Sequence, residues 1–301
     1  MPRKKFGSNQ IPRRREALRR IGGTVLAAAS APLRAQHTHD TVRIGTTAVI
    51  LDDQVGFLNT WRDYLERRLG QRVRFVQRAS YREITEALHA DELDFAWVCG
   101  YPYAANKQFM RLLAMPLYRG KPLYQSYLIV PAADSATRGF GDLQDRIFAY
   151  SDPNSNSGFL VPQYEMLQAG LDPATLFRKS FFTYAHRKVV VAVANGVAHG
   201  GAVDGYVWET LALRLPDLTG KTRIALKSGE YGFPPLVARG TLDDRRYEAM
   251  LAVLVGMSDD PQGRDLLKAL NLDGFAPPDD RVFDGIVRVL RYVSLREQLP
   301  A

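Results

Sequence analysis

YSDPNSNSGFLVPQY, residues 150–164, joins a strand pattern to a helix pattern. The apolar run 147–150 reads as a strand ending near Tyr150. Asp152-Pro153 then forces a turn. Beyond it the residues read as a helix, with Pro162 in the first turn, because its missing N–H would break any later one. Ser155, Asn156, Ser157 and Gly158 therefore fall at a helix N-terminus. Unsatisfied backbone N–H groups point outward there, and the macrodipole favours negative charge. With hydroxyls beside them, these residues are suited to a tetrahedral anion held without a charged side chain. Simple capping of the helix by Ser157 would account for the same residues.

Working outward, short β-like runs alternate with amphipathic helical stretches. Strands are expected at 42–45, 73–76, 94–98, 127–131 and 147–150, and near 223–227. Helices are expected at 57–69, 81–90, 159–169 and 187–195, and then at 243–257, 260–269 and 280–293. This alternation predicts an α/β protein of parallel sheets with crossovers on both faces. Ligands of such sheets sit beyond the carboxyl ends of strands, at helix N-termini. The chain has 301 residues, of which 46% are hydrophobic, enough for two domains with proper cores.

The formal charge is +8. Residues 1–35 carry nine lysines and arginines against one acid, Glu16, which accounts for all of it. A nucleic-acid binder needs its basic excess on the folded surface, so that class is set aside. The basic stretch is followed by IGGTVLAAASAPL, residues 21–33, and by small residues before Gln36, the three-part pattern of an export signal. RREAL, residues 14–18, resembles a twin-arginine signal. No other segment reaches ~18 apolar residues. The mature chain is expected to be soluble, in the periplasm.

Several stretches together resemble the phosphate/phosphite/phosphonate family of ABC-transporter substrate-binding proteins. The loop at 152–162 is similar to that family's DP-x-S-T-S-G-x-x-x-P. In order along the chain, DFAW (94–97), YQSYLIV (124–130), Asp142-Leu143 and His186 with VVVAVANG (189–196) match its other motifs. The resemblance implies a two-lobed periplasmic-binding-protein fold of type II, with a hinge of two crossovers. The chain path then gives 36–128 plus 236–301 as lobe I and 129–235 as lobe II. It also implies a small phosphorus oxyanion as ligand, an ABC permease as partner, a monomer, no cofactor and no enzymatic activity.

Carried over position by position, the resemblance places Ser155 and Ser157 on ligand oxygens, with Asn156 standing where threonine is usual and Gly158 closing the turn. His186 faces the ligand from a second helix start. Tyr81 closes over it from the first lobe, and Asp204 lies near it, although capping its own helix explains Asp204 equally well. Thr46 and Thr47 end the first strand, where structural roles compete with hydroxyl donation.

Cys99, the single cysteine, follows the strand DFAWV and is expected to face the cleft with Tyr101 or Tyr103. One cysteine cannot form an internal disulfide. A thiolate is a soft ligand, and the family is similar to periplasmic arsenite-binding proteins that use a cysteine and partner a sensor histidine kinase. A sensor of a thiophilic oxyanion is therefore the alternative. His37 and His39 show no metal-site spacing.

Overall fold

The computed structural model describes residues 41–47 and 55–297. The leader, its cleavage site, and His37 and His39 lie outside the described residues. The first elements are β1 (Thr41–Thr46), α1 (Val55–Leu69), β2 (Arg72–Gln77), α2 (Tyr81–His89), β3 (Phe95–Trp97), α3 (Gly100–Ala105) and β4 (Met110–Leu117). Then come β5 (Leu123–Pro131), β6 (Ile147–Tyr150), α4 (Val161–Gln168), β7 (Lys179–Phe182), α5 (His186–Ala194), β8 (Gly200–Asp204), α6 (Gly205–Arg214), α7 (Pro216–Thr219) and β9 (Thr222–Gly232). The chain continues through β10 (Leu236–Arg239), α8 (Asp244–Val255), α9 (Pro261–Leu270), β11 (Gly274–Ala276) and α10 (Asp284–Glu297).

The strands form two sheets, ordered β11-β4-β10-β3-β1-β2 and β7-β6-β8-β5-β9. β1 is parallel to β2 and β3, and β6 to β7 and β8. The remaining pairs are antiparallel: β10 with β3 and β4, β11 with β4, and β5 with β8 and β9. The expectation of wholly parallel sheets is corrected to mixed ones. Short links join β4 to β5 and β9 to β10, so neither β5 nor β10 is delivered by the helical crossover that a parallel pair requires. β5 belongs to the second sheet along its whole length, so the chain passes between sheets at 118–122, ahead of the expected 128/129 boundary. It returns at 233–235.

Each sheet is packed on both faces, as successive side chains of a strand point to opposite sides. On the first sheet, Phe95 and Trp97 meet Trp61, Tyr64 and Leu65 of α1, while the opposite face carries Ile84 and Leu88 of α2 with Phe283 and Ile286. On the second, Phe148 and Tyr150 pack with Met166 and Phe177, and Ile129 and Val203 pack with Val189 and Val193 of α5. Each such fully buried side chain contributes about 1.5–3 kcal/mol. Asp94, fully buried just before β3, is held by Arg43, Arg246 and Arg239 at 3.2, 3.3 and 3.5 Å.

Aromatic rings fill the region of the two crossings. Phe233 lies 5.7 Å from Tyr124 and 5.0 Å from Tyr206, and Tyr206 lies 5.2 Å from Tyr118, all between ring centroids. Glu209 of α6 accepts from the Tyr118 hydroxyl and, at 2.6 Å, from that of Tyr127, and pairs with Arg119 at 2.8 Å. α10 reaches from the first sheet's face to α4 of the second, where Tyr292 meets Tyr164 edge-on at 5.2 Å.

Candidate ligand-binding site

The carboxyl end of β6 leads into the turn read from the sequence. The Ser155 N–H donates to the Asp152 carbonyl at 2.9 Å, and the Ser155 hydroxyl accepts the Gly158 N–H at 2.9 Å. A single π-helical turn, Asn156–Leu160, follows and continues as α4, with Pro162 in its first turn. The cap is thus Ser155 and not Ser157. Ser155 has the extended backbone of a capping residue (φ −81°, ψ 130°), whereas Ser157 already lies inside the turn. Gly158 is required sterically: a Cβ there would stand 1.8 Å from the Ser151 Oγ.

Neighbouring elements lock this turn. The Ser126 hydroxyl of β5 donates to the Ser157 carbonyl at 2.6 Å, and Ser126 stands opposite Asp204 in the β5–β8 register. Asp204 caps α6, accepting the Val207 N–H at 3.2 Å, and its own N–H donates to His186 Nδ1 at 3.0 Å. Burial pushes the His186 pKa down to about 3, so the ring is neutral. Because Nδ1 is an acceptor, the proton sits on Nε2. Burial also lifts the Asp204 carboxyl to about 7, against the lowering pull of the Val207 and Tyr206 N–H groups.

The first sheet supplies the opposite wall. Cys99 lies just beyond β3, at the start of α3, and its sulfur accepts the Asn156 N–H at 3.2 Å. In the other direction, the Asp152 carboxylate accepts the Tyr81 N–H at the start of α2 at 3.3 Å. These two bonds tie the first sheet's loops to the second sheet's turn. The Asn156 side-chain amide donates to the Tyr124 hydroxyl at 3.0 Å. Burial raises the pKa values of Tyr81 and Tyr124 well above the usual range and that of Cys99 to about 11. Thr46 and Thr47 are buried at the end of β1.

Of the residues singled out from sequence, Ser155, Asn156, Ser157, Gly158, His186, Asp204, Cys99 and Tyr81 are brought into this one connected cluster. Tyr101 is half-buried against the apolar cluster beneath α10, and the Tyr103 hydroxyl is spent on Asp280 at 2.5 Å. Tyr124, Ser126, Ser151 and Asp152 belong to the cluster and escape a sequence reading of the site. Their partners are distant in the chain or, for Ser151 and Asp152, depend on how the turn folds back.

Ser155, Asn156, Ser157 and His186 are 0% exposed. Yet the Asn156 Oδ1, His186 Nε2, Ser151 Oγ and Thr46 Oγ1 are buried without a hydrogen-bond partner, and the Ser157 Oγ has only the Tyr124 hydroxyl near it, outside good hydrogen-bond geometry. Buried polar groups are almost always satisfied; the other unsatisfied side-chain atoms among the described residues lie at Trp61 and Tyr64 of α1 and at Arg239 and Arg246. No lysine or arginine is among the buried described residues.

A family model, described as ABC transporter, phosphonate, periplasmic substrate-binding protein, matches residues 54–283. The chain belongs to this family. It is 24% identical to the phosphonates-binding periplasmic protein of Escherichia coli over 265 residues, 84% of this chain and 75% of that protein. It is 28% identical to the phosphate-import protein PhnD of Mycolicibacterium smegmatis over 159 residues, 49% of this chain, so it spans about half the length of that relative. Among solved structures, PhnD1 of Prochlorococcus marinus in complex with methylphosphonate superposes with a TM-score of 0.76 at 20% identity, covering 85% of this chain and 98% of that one. The two-sheet architecture is therefore the two-lobed, type II periplasmic-binding-protein fold, one lobe around each sheet.

Members of this family are binding components of transporters, and the chain works by binding and not by catalysis. Among the described residues no group of His, Cys, Asp and Glu could hold a metal ion, and no helix is long and apolar enough to cross a membrane.

Proposed function

We propose that this protein is the periplasmic solute-binding component of an ABC importer and that it closes its two lobes, as a monomer, around a small phosphorus oxyanion: a phosphonate, phosphite or phosphate. The observation that carries the reading is the buried, unpartnered His186 Nε2–H, with the Ser157 hydroxyl placed toward Tyr124 in the same cluster, beside a helix N-terminus in a site without buried cations. An oxyanion there accepts from both, and it gains the Asn156 N–H when it displaces the Cys99 sulfur. Neutral donors in a desolvated site bind an anion strongly because charge-assisted hydrogen bonds are about twice as strong as neutral ones. Tyr81 and Cys99 supply the first-lobe wall, Asp204 and Thr47 the margins. Ser155 holds the turn through its N–H and, as acceptor, through its hydroxyl oxygen, and its O–H is left to donate to the ligand. Ligand contacts to both lobes shift the population toward closure, and a permease reads the closed form.

The thiophilic-oxyanion alternative loses ground on two counts. The family's named members bind phosphorus compounds, and Cys99 is a buried thiol already bonded to Asn156, with its pKa raised to about 11, not a thiolate in waiting. Thermal unfolding against phosphate, phosphite, methylphosphonate, 2-aminoethylphosphonate, sulfate and arsenite tests both readings. A ligand at 100 times its Kd stabilises by about 2.7 kcal/mol. A shift with a phosphorus oxyanion that Ser157→Ala abolishes is the expected result. A shift with arsenite alone, abolished by Cys99→Ser, would overturn it.

A further inference from the structure

The Ser157 carbonyl has a partner that its own helix cannot give it. In the π-helical turn the Val161 N–H donates to the Asn156 carbonyl, five residues back. The next donor in that pattern would be Pro162, which has no N–H. The Ser126 hydroxyl takes that place, donating to the Ser157 carbonyl at 2.6 Å. Its aim is set by the second sheet. The β5–β9 register shifts between Gln125 and Tyr127, so that Ser228 and Gly229 together stand opposite Ser126 in a bulge. There the Ser126 N–H donates to Ser228 Oγ at 2.9 Å, and Ser228 Oγ donates to the Gly229 carbonyl at 2.7 Å. Ser126, Ser157 and Ser228 are all buried. The peptide unit whose carbonyl Ser126 holds also carries the Gly158 N–H, which donates to the Ser155 Oγ at 2.9 Å. Hydrogen bonds in series polarise one another, by about 10–30% per bond.

We propose that Ser126 is a positioning residue of the binding site: its hydroxyl, aimed by the Ser228 bulge, fixes and polarises the Ser157–Gly158 peptide so that the Ser155 hydroxyl is presented as a donor to the bound oxyanion. This rests on the oxyanion reading above and adds to it a residue that acts on the ligand only through others. Every link of the relay points the same way, from the Ser126 O–H to the Ser157 carbonyl, from the Gly158 N–H to the Ser155 oxygen, and from the Ser155 O–H to the ligand. Without Ser126, the Ser157 carbonyl would be a buried acceptor left unsatisfied close to an anion.

Titration calorimetry with methylphosphonate across a double-mutant cycle tests this. Ser126→Ala should weaken binding by about tenfold. In a Ser155→Ala protein, where the relay has lost its last link, the same substitution should cost less than about twofold. Pro162→Ala supplies an N–H five residues beyond Ser157, so added to Ser126→Ala it should recover about threefold or more of the lost affinity; this arm decides the matter if Ser155→Ala does not fold. In the free protein, the amide ¹⁵N resonance of Gly158 should shift in Ser126→Ala while those of β1 stay in place. Ser126→Ala binding within about twofold of wild type, an equal loss with and without the Ser155 hydroxyl, no recovery with Pro162→Ala, or an unmoved Gly158 resonance each overturns the relay and leaves the oxyanion reading standing. Failure of the wild-type protein to bind methylphosphonate, phosphite and phosphate alike overturns both.

Discussion

Replacing His186 by alanine removes two hydrogen bonds that point in different directions. On the protein side, the Asp204 N–H now donating to Nδ1 at 3.0 Å is left buried without an acceptor, at a cost of about 1–3 kcal/mol. For a chain of this size that lowers Tm by roughly 2–4 °C per kcal/mol. On the ligand side, the Nε2–H is lost. A hydrogen bond to a charged group contributes about 1.5–3 kcal/mol, so Kd for a bound oxyanion should rise roughly 10- to 150-fold. Titration calorimetry and thermal unfolding of the free protein separate the two effects. His186→Gln, with an acceptor and a donor of its own, should recover part of each. Because burial holds the folded pKa at about 3, below the ordinary value of 6.5, the unfolded chain binds the extra proton. The stability that the neutral ring contributes is complete above pH 6.5 and is lost as pH falls from there toward 3, by up to about 1.4 kcal/mol per pH unit. A His186→Ala protein that binds within about twofold of wild type, or an imidazole ¹⁵N titration showing His186 protonating between pH 5 and 8, would refute the neutral-donor account.

Gly158→Ala forces a Cβ to 1.8 Å from the Ser151 Oγ; denaturant unfolding should show a loss of about 1–3 kcal/mol, partly restored by adding Ser151→Gly. Asp94→Ala leaves Arg43, Arg239 and Arg246 without their shared carboxylate and should cost about 3–5 kcal/mol. Although burial opposes it, the hydrogen bonds from Arg43 hold the Asp94 pKa below the usual range. Its contribution is therefore present above the unfolded value and should vanish as pH falls through the lowered one. Cys99, buried and with its pKa raised to about 11, should react with iodoacetamide far more slowly in the folded protein than in urea, and more slowly still with ligand bound; mass spectrometry showing equal rates would contradict the closed geometry.

The turn at 152–162 was legible in the sequence because its determinants are local. Asp152-Pro153 sets the bend, a serine caps, and Pro162 fixes where the helix can begin. The choice of Ser155 over Ser157 as cap was not legible, since the π-helical turn places Ser157 one step inside. Helices with strong apolar periodicity, such as those bearing Trp61 and Leu65 or Ile84 and Leu88, fall where the pattern puts them. Strands β4 and β10 do not announce themselves. MRLLAMPL lacks alternation because both faces of β4 are buried and Pro116 interrupts it, and β10 is only four residues long. Their antiparallel pairing follows from links between the two sheets, not from local propensity. Likewise Cys99 was expected from sequence to face the cleft, but its partner, the Asn156 N–H of the second sheet's turn, is distant in the chain and could not be read there.

The most direct test of the central claim is a crystal structure of the protein grown with methylphosphonate. The account predicts the phosphonate at the Asn156–Leu160 turn, its oxygens within about 2.7–3.2 Å of the Ser157 Oγ and the His186 Nε2 and no lysine or arginine touching it. A phosphonate bound elsewhere, or held in the cleft by a guanidinium or ammonium group, would contradict it.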